Sequence, residues 1–429
     1  MRGFTYRDGL LHVDDVALDR LVRDHGTPLY VYSAREMRAR YRRLAAAFAG
    51  TDTLFCYALK ANPTLGVVAT LAKEGAGADV VSAGELERAL AAGIAPERIV
   101  FAGVGKSHGE IDRALAVGVL QLNVESVEEL HMVAERAAAR GLVAPVALRL
   151  NPDVAATTHD KIATGRRHDK FGIAGERLGE VLDVLRGLSS VRLVGLHCHI
   201  GSQIAVVEDF ERAYARMATF YRTARAAGFP LERLNLGGGL GIRYVDEREL
   251  DIEAFARMAL AVTRDLGARL VFEPGRYLVA AAGALLSRVI LVKTGSEQRR
   301  FVVVDAGMNT LIRPAMYGAV HPIQPLAVRA EAALSTVDVV GPICESSDIF
   351  ARDLRLPLPA AGDVVAFMNA GAYGAAMASD YNSRGRAAEV LADGDRVAML
   401  KPRLEPVQLF ADEAVPAWLR PAVRPSDFA

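Results

Sequence analysis

The sequence predicts an α/β protein joined to a β domain: a (β/α)8 barrel of the TIM type, followed by an all-β domain that the N-terminal segment completes. Two observations point there. Between about residues 54 and 275, eight short apolar runs alternate with helix-like patterns. After residue 285, strand-like runs follow one another, separated by Gly, Pro and Asp, with few intervals long enough for a helix. The expected division is residues 26–285 for the barrel, and residues 1–25 with 286–429 for the β domain.

The eight runs are LFCYALK (54–60), ADVVS (78–82), IVFAG (99–103), QLNVE (121–125), PVALRLN (145–151), RLVGLHCHI (192–200), RLNLGG (233–238) and RLVFEPG (269–275). Each is nearly continuous in apolar residues, as parallel strands buried on both faces should be. Among the intervening patterns is VEELHMVAERAAARG, where Ser126 is placed to cap a helix, Glu129 to complete a capping box and Gly141 to end it. Eight such units match a barrel. An open doubly wound sheet uses the same units, so pattern alone leaves it open. The longest interruption runs from Asn151 to Val191 and begins with the polar NPDVAATTHDKIATGRRHDKFG. Loops of this length are more often functional than inert, and residues 152–172 are a candidate lid. In the second half, LLSRVILVKTG, RFVVVDAG, LAVRAEAAL, TVDVVG, DVVAFMNAGAYG and RVAMLKP read as strands, and GLLHVDDVAL near the N-terminus could add an edge strand.

Composition narrows the function. The chain has 429 residues, 51% of them hydrophobic, enough for two cores. Lys plus Arg and Asp plus Glu number 51 each, which argues against nucleic-acid binding by bulk charge. No apolar run reaches the roughly 18 residues of a membrane span. The start, MRGFTYRDGLLHVDD, shows no signal-peptide pattern. Cys56, Cys198 and Cys344 are far apart and never in C-x-x-C spacing, which fits a reducing cytoplasm.

A barrel's active site lies at the C-terminal ends of its strands. Those ends offer Lys60, Asp79 and Ser82, Gly103, Asn123 and Glu125, Arg149, His199, Gly237 to Gly239, and Glu273 with Arg276. A lysine closing a buried strand is ordinarily a solvated end charge. Three consecutive glycines after the seventh strand let backbone amides approach an anion, or simply make a tight turn; their spacing is not a Rossmann fingerprint. VGKS (104–107) lacks the upstream glycine of a Walker loop, since position 100 is Val100. His197 and His199 would share a strand face, but no third ligand stands at a metal-like spacing, so no metal is expected. Glu273, if buried, needs a partner, either Arg276 or the ring nitrogen of a cofactor. Lysine, phosphate cradle, stacking imidazole and ring-nitrogen acid together describe a pyridoxal phosphate pocket.

The blocks YALKANP, GADVVSAGEL, KFGI, HCHIGSQI, LNLGGGLGI, FEPGRYLV, RPAMYGAVHPI, VVGPICESSDIF and NAGAYGAAMASDYNSR stand in order over almost the whole chain. In them the sequence resembles the diaminopimelate decarboxylases, of the alanine-racemase-like fold type III group of pyridoxal phosphate enzymes. The resemblance implies pyridoxal 5'-phosphate as cofactor, with Lys60 as its Schiff-base residue and His199 stacked on its ring. It implies Ser202, Gly239 and Tyr373 on the phosphate, together with Gly237, Gly238 and the turn of Gly275 and Arg276. Glu273 would face the ring nitrogen, and Asp79 and Arg149 would lie around the cofactor. Arg276, Arg313 and Tyr317 would bind substrate carboxylate, Glu345 the ammonium at the far end, and Tyr373 would touch the substrate as well as the phosphate. Cys344 would reach across the interface of a homodimer with shared active sites and is a candidate proton donor. The implied reaction is decarboxylation of meso-2,6-diaminopimelate to L-lysine, the last step of lysine biosynthesis. A related decarboxylase of ornithine, lysine, arginine or a carrier-bound glutamyl group is the alternative, and a fold relative that only binds or regulates is another. Ala83 and Ser347 stand where the family has glycine, and Gly385 where it has proline.

Overall fold

Residues 3–154, 170–328 and 333–419 are described in the structure, which is a computed structural model. Eight parallel strands close on themselves: Thr53–Ala58, Gly77–Val80, Ile99–Phe101, Gln121–Val124, Ala144–Asn151, Val191–His197, Arg233–Asn235 and Arg269–Phe272. Each pairs with the next, and the eighth returns to the first through Leu270 on Thr53 and Phe272 on Phe55. This closure removes the open-sheet alternative. Seven strands end one to three residues earlier than the apolar runs suggest, while the fifth ends at Asn151 as expected. Lys60 sits not on the first strand but on the 3-10 turn Leu59–Ala61 beyond it. His199 and Glu273 likewise lie just past the last ladder residues. The backbone leaves the ladder there, which frees these side chains to point away from the sheet.

The barrel interior changes character along its axis. Leu54, Cys56, Val100 and Val271 fill one end. Two residues further along the same strand faces stand Ala58 and Glu273, which border a cavity. Outside the barrel, Phe55 and Phe272 of the first and eighth strands lie 5.8 Å apart, ring to ring. Phe48, at the end of helix Ala34–Ala47, packs 5.0 Å from Phe272. Phe210 of helix Val207–Ala226 packs 5.0 Å from Phe255 of helix Ile252–Thr263, itself against Phe272. Burying each ring contributes about 1.5–3 kcal/mol. The cluster locks together the two strands that lead into Lys60 and Glu273.

Helix Val127–Ala138 is capped by Ser126, whose side chain accepts from Glu129 N. The expected capping box does not form. The Glu129 carboxylate instead accepts from Glu125 N and from Lys106 Nζ, and Gly141 lies past the helix end. A buried ammonium within reach outcompetes the backbone N–H of half-buried Ser126 that a box would satisfy. Of the interruption after the fifth strand, Leu178–Arg186 is helical, while residues 155–169 of the candidate lid lie outside the described residues.

The second sheet runs in the order Ile349–Pro357, Leu334–Val340, Arg300–Val304, Gly283–Thr294, Leu29–Ser33, Ala388–Asp393 and Arg396–Lys401. Residues 329–332, within the run LAVRAEAAL, are outside the described residues. Two expectations change. Leu29–Ser33, assigned to the barrel by the division at residue 26, pairs antiparallel with Gly283–Thr294 and parallel with Ala388–Asp393, inside this sheet. The segment around Leu10–Val13 makes a small antiparallel sheet with Phe4–Arg7 and Val16–Ala17 rather than an edge strand, touching the rest by a Leu10–Ala327 bridge. LYVYS is buried throughout, a pattern equally suited to either sheet. No helix among the described residues is long and apolar enough to cross a membrane.

Candidate active site

A cavity of about 700 Å³ opens where the C-terminal ends of the barrel strands meet the second sheet. Lys60, Arg149, His199, Ser202, Gly239, Glu273, Gly275, Arg276, Arg313, Tyr317 and Tyr373 all border it. Residues more than 300 positions apart in sequence thus share one chamber.

The turn that carries Lys60 is held from both domains. Ala58 N donates to Pro274 O, and Tyr57 OH donates to Asn62 O. From the second domain, Tyr373 N donates to Ala61 O at 2.7 Å, and Asn62 Nδ2 donates to Gly371 O at 3.1 Å. Tyr373 adopts φ +57°, a left-handed conformation uncommon for a bulky residue and maintained here by the surrounding contacts. The Lys60 side chain is 40% exposed, toward the cavity, with Nζ 3.3 Å from Asp79 Oδ2. Burial works against the ammonium, but Asp79, Tyr373 and Glu273 outweigh it and hold the pKa above the usual lysine range. Asp79 is fully buried; burial and the negative Glu273 push its carboxyl up to about 7, against the pull of Lys60. Its Oδ1 has no hydrogen-bond partner among the described residues.

Glu273 accepts from Asn235 Nδ2 at 2.7 Å and Asn123 Nδ2 at 3.2 Å on one oxygen, and meets His197 Nε2 at 3.2 Å on the other. Arg276 is not its partner. Burial alone would raise its pKa, but His197 and Lys60 hold the carboxyl well below the usual range. His197, considered above as half of a metal pair, is occupied by this carboxylate. His199 Nδ1 accepts from Gly238 N at 3.2 Å, so the ring proton belongs on Nε2. Burial, then Lys60 and Arg149, keep the imidazole neutral.

The glycine loop is required by space. A β-carbon at Gly237, Gly238 or Gly239 would collide with the carbonyl of Cys198, Glu273 or Gly201 respectively, and Gly237 and Gly239 have φ of +68° and +94°. Beside it, Arg276 donates to Ser202 Oγ and to Tyr244 OH, both at 2.9 Å. Arg313, first residue of the short helix Arg313–Tyr317, donates to the same Tyr244 OH at 3.0 Å and to His321 Nε2 at 2.9 Å. Arg149 grips both oxygens of Glu125 at 2.9 Å and lies 4.8 Å from the ring of Phe171.

Cys344 and Glu345 are not brought into the cavity of their own chain. They lie on an exposed loop, with Cys344 N donating to Asn382 Oδ1 and Glu345 accepting from Tyr381 OH at 2.6 Å. Tyr244 has no mark in the sequence, and His321 stands inside the block RPAMYGAVHPI without any role assigned to it. Asn235 had a signal, as an amide between Leu234 and Leu236.

The chamber therefore offers an amine beside a carboxylate, a neutral imidazole, backbone and hydroxyl donors around a glycine loop, and an ionised carboxylate. This donor set fits pyridoxal 5'-phosphate: a lysine for the aldehyde, donors for the phosphate and an anion for the pyridine nitrogen. The chemistry agrees with the comparisons. A family model described as the pyridoxal binding domain of pyridoxal-dependent decarboxylases matches residues 34–280. Diaminopimelate decarboxylase of Zymomonas mobilis is 46% identical over 97% of this chain and 99% of its own. That of Pseudomonas aeruginosa is 46% identical, again over 97% and 99%. The crystal structure of the Helicobacter pylori diaminopimelate decarboxylase complexed with L-lysine superposes with a TM-score of 0.89 at 38% identity, covering 92% of this chain and 99% of that one. The M. jannaschii enzyme in complex with L-lysine gives 0.92 at 37%, covering 98% and 100%.

Proposed function

The chain belongs to the diaminopimelate decarboxylases, within the pyridoxal-dependent decarboxylase family, and from that premise we propose that it converts meso-2,6-diaminopimelate to L-lysine and carbon dioxide, the last step of lysine biosynthesis. One observation carries the choice of substrate. Arg276 and Arg313 are both buried beside the cavity, and among the described residues their guanidiniums donate to the neutral side chains of Ser202, Tyr244 and His321. A substrate with a second carboxylate satisfies such a wall; a simple diamine precursor leaves it unmet.

When bound, pyridoxal phosphate supplies an electron sink for the pair left on the carbon that loses carbon dioxide. Lys60 would hold the cofactor covalently, with Gly237, Gly238, Gly239, Ser202, Gly275 and Tyr373 around its phosphate. His199 would cover a face of its ring, Asp79 and Arg149 would flank it, and ionised Glu273 would keep a proton on its ring nitrogen. Arg276, Arg313 and Tyr317 orient the substrate carboxylate that is kept. The bond to the departing carboxylate breaks, and one proton returns to the same carbon. Cys344 and Glu345 act in the cavity of a second copy, Cys344 returning that proton and Glu345 meeting the far ammonium, so the working unit is a two-fold homodimer of the cytoplasm.

Carbon dioxide release from purified protein, measured on diaminopimelate, lysine, ornithine and arginine, tests the reading. Diaminopimelate is expected to be turned over fastest. A faster reaction with any of the other three overturns it.

A further inference from the structure

His321 has no place in the chemistry above, yet it is 3% exposed and reaches a guanidinium that borders the cavity. Arg313 has only donors, so His321 Nε2, 2.9 Å from Arg313 Nη1, is the acceptor. The ring proton is then on Nδ1, which donates to Met368 O at 2.9 Å. That carbonyl is itself fixed. Met368 N donates to Pro322 O, and the adjoining strands Ile323–Pro325 and Val364–Phe367 pair in antiparallel register. His321 and its anchor thus stand together at one end of this β ladder, just beyond the Ile323–Phe367 pair. The same Nη1 also donates to the Tyr244 oxygen, which receives Arg276 as well.

Each of these two anchors is neutral. Burial and the adjacent Arg313 push the His321 pKa down to about 3, so the ring accepts rather than repels. A carboxylate in its place would orient Arg313 equally well but would cancel its charge. A neutral acceptor fixes the plane of the guanidinium and leaves the charge available to a ligand.

We propose that His321 is a positioning and specificity residue: it sets Arg313 to grip the carboxylate that the substrate keeps, and so makes that carboxylate a condition of tight binding. The proposal rests on the function assigned above, and its test is separable from it. L-Lysine and 1,5-diaminopentane differ only in this carboxylate. Their affinities for the holoenzyme are measured by titration calorimetry in wild type, His321→Leu, His321→Asn (too short to reach) and His321→Gln, whose amide oxygen can replace the acceptor. L-Lysine is expected to weaken by about 10- to 100-fold in the Leu and Asn variants, the worth of a charge-assisted hydrogen bond. Diaminopentane is expected to keep its affinity, and Gln to recover most of the loss. With diaminopimelate, KM should rise by a similar factor while kcat stays within about threefold. The proposal is overturned if both ligands weaken together, if L-lysine binding is unchanged, or if Gln recovers nothing. Absence of wild-type turnover on diaminopimelate would overturn the functional reading alone, because the two-ligand contrast still judges His321.

Discussion

The two walls of the cavity treat charge in opposite ways. On the barrel wall Lys60 stands against Asp79, and charges are matched within the fold: Arg149 by Glu125, Lys106 by Glu129, and Glu273 by His197 and two asparagines. On the arginine wall, Arg276 and Arg313 meet a serine, a tyrosine and a neutral histidine. The same residue types thus do different work. Matched charges hold a rigid constellation in place before anything binds. Unmatched ones wait for a ligand's anions.

The contrast breaks most completely at Lys60. Lys60→Ala is expected to abolish carbon dioxide release from diaminopimelate and the visible absorbance of the bound cofactor, read by assay and spectrum of the purified variant. Next in size is Lys106. Its Nζ donates to Gly103 O, Asn123 O and Glu129, ties two barrel strand ends together and is almost wholly buried. Lys106→Met leaves Glu129 buried and unpaired, at a cost of about 3–5 kcal/mol in denaturant unfolding; a cost under 1 kcal/mol would mean the barrel wall does not depend on its pairs. Arg313→Met probes the other wall. It should raise KM for diaminopimelate by about 10- to 100-fold yet leave the melting temperature of the cofactor-free protein unchanged or higher, because one of two neighbouring positive charges is gone. A large drop in melting temperature would erase the distinction between the walls.

The smallest effect is a pH dependence. Folding raises the Asp79 carboxyl to about 7 from an ordinary value near 4. The folded state therefore holds this proton more tightly than the unfolded chain does. Its stabilising contribution is full below about pH 4 and is lost as pH rises through about 7. Glu273 and Lys60 are shifted so that both stay ionised across pH 5–8. Over that window, the stability of cofactor-free wild type should fall with pH relative to Asp79→Asn. Parallel melting curves for the two would show that Asp79 is ionised in the fold.

Much of this was legible in the sequence. Eight apolar runs marked the eight barrel strands, and the residues just after them mark the site. The run YALKANP placed Lys60 correctly at the mouth of the barrel, though on a turn beyond the strand. GGG announced a close backbone approach, and the carbonyls of Cys198, Glu273 and Gly201 are what each glycine must avoid. Partners were harder to read. Arg276, three residues from Glu273, was the nearest candidate to neutralise it, whereas the actual donors stand 38, 76 and 150 positions away. Tyr244 and His321 looked like ordinary aromatic and loop residues, because their role exists only once Arg313 lies beside them.

What the sequence determined by itself is whatever depends on neighbours along the chain: burial periodicity, helix caps such as Ser126 and the glycines after the seventh strand. These are set by local sterics and by the alternation of side chains on a strand. The tertiary structure alone decided which charges meet. Barrel closure brings Asn123, His197, Asn235 and Glu273 to one level of the interior. The insertion of Leu29–Ser33 beside Gly283–Thr294 helps bind the second sheet to the barrel mouth. Hydrogen-bond partners across such distances follow from strand register and domain docking, and no local pattern encodes either.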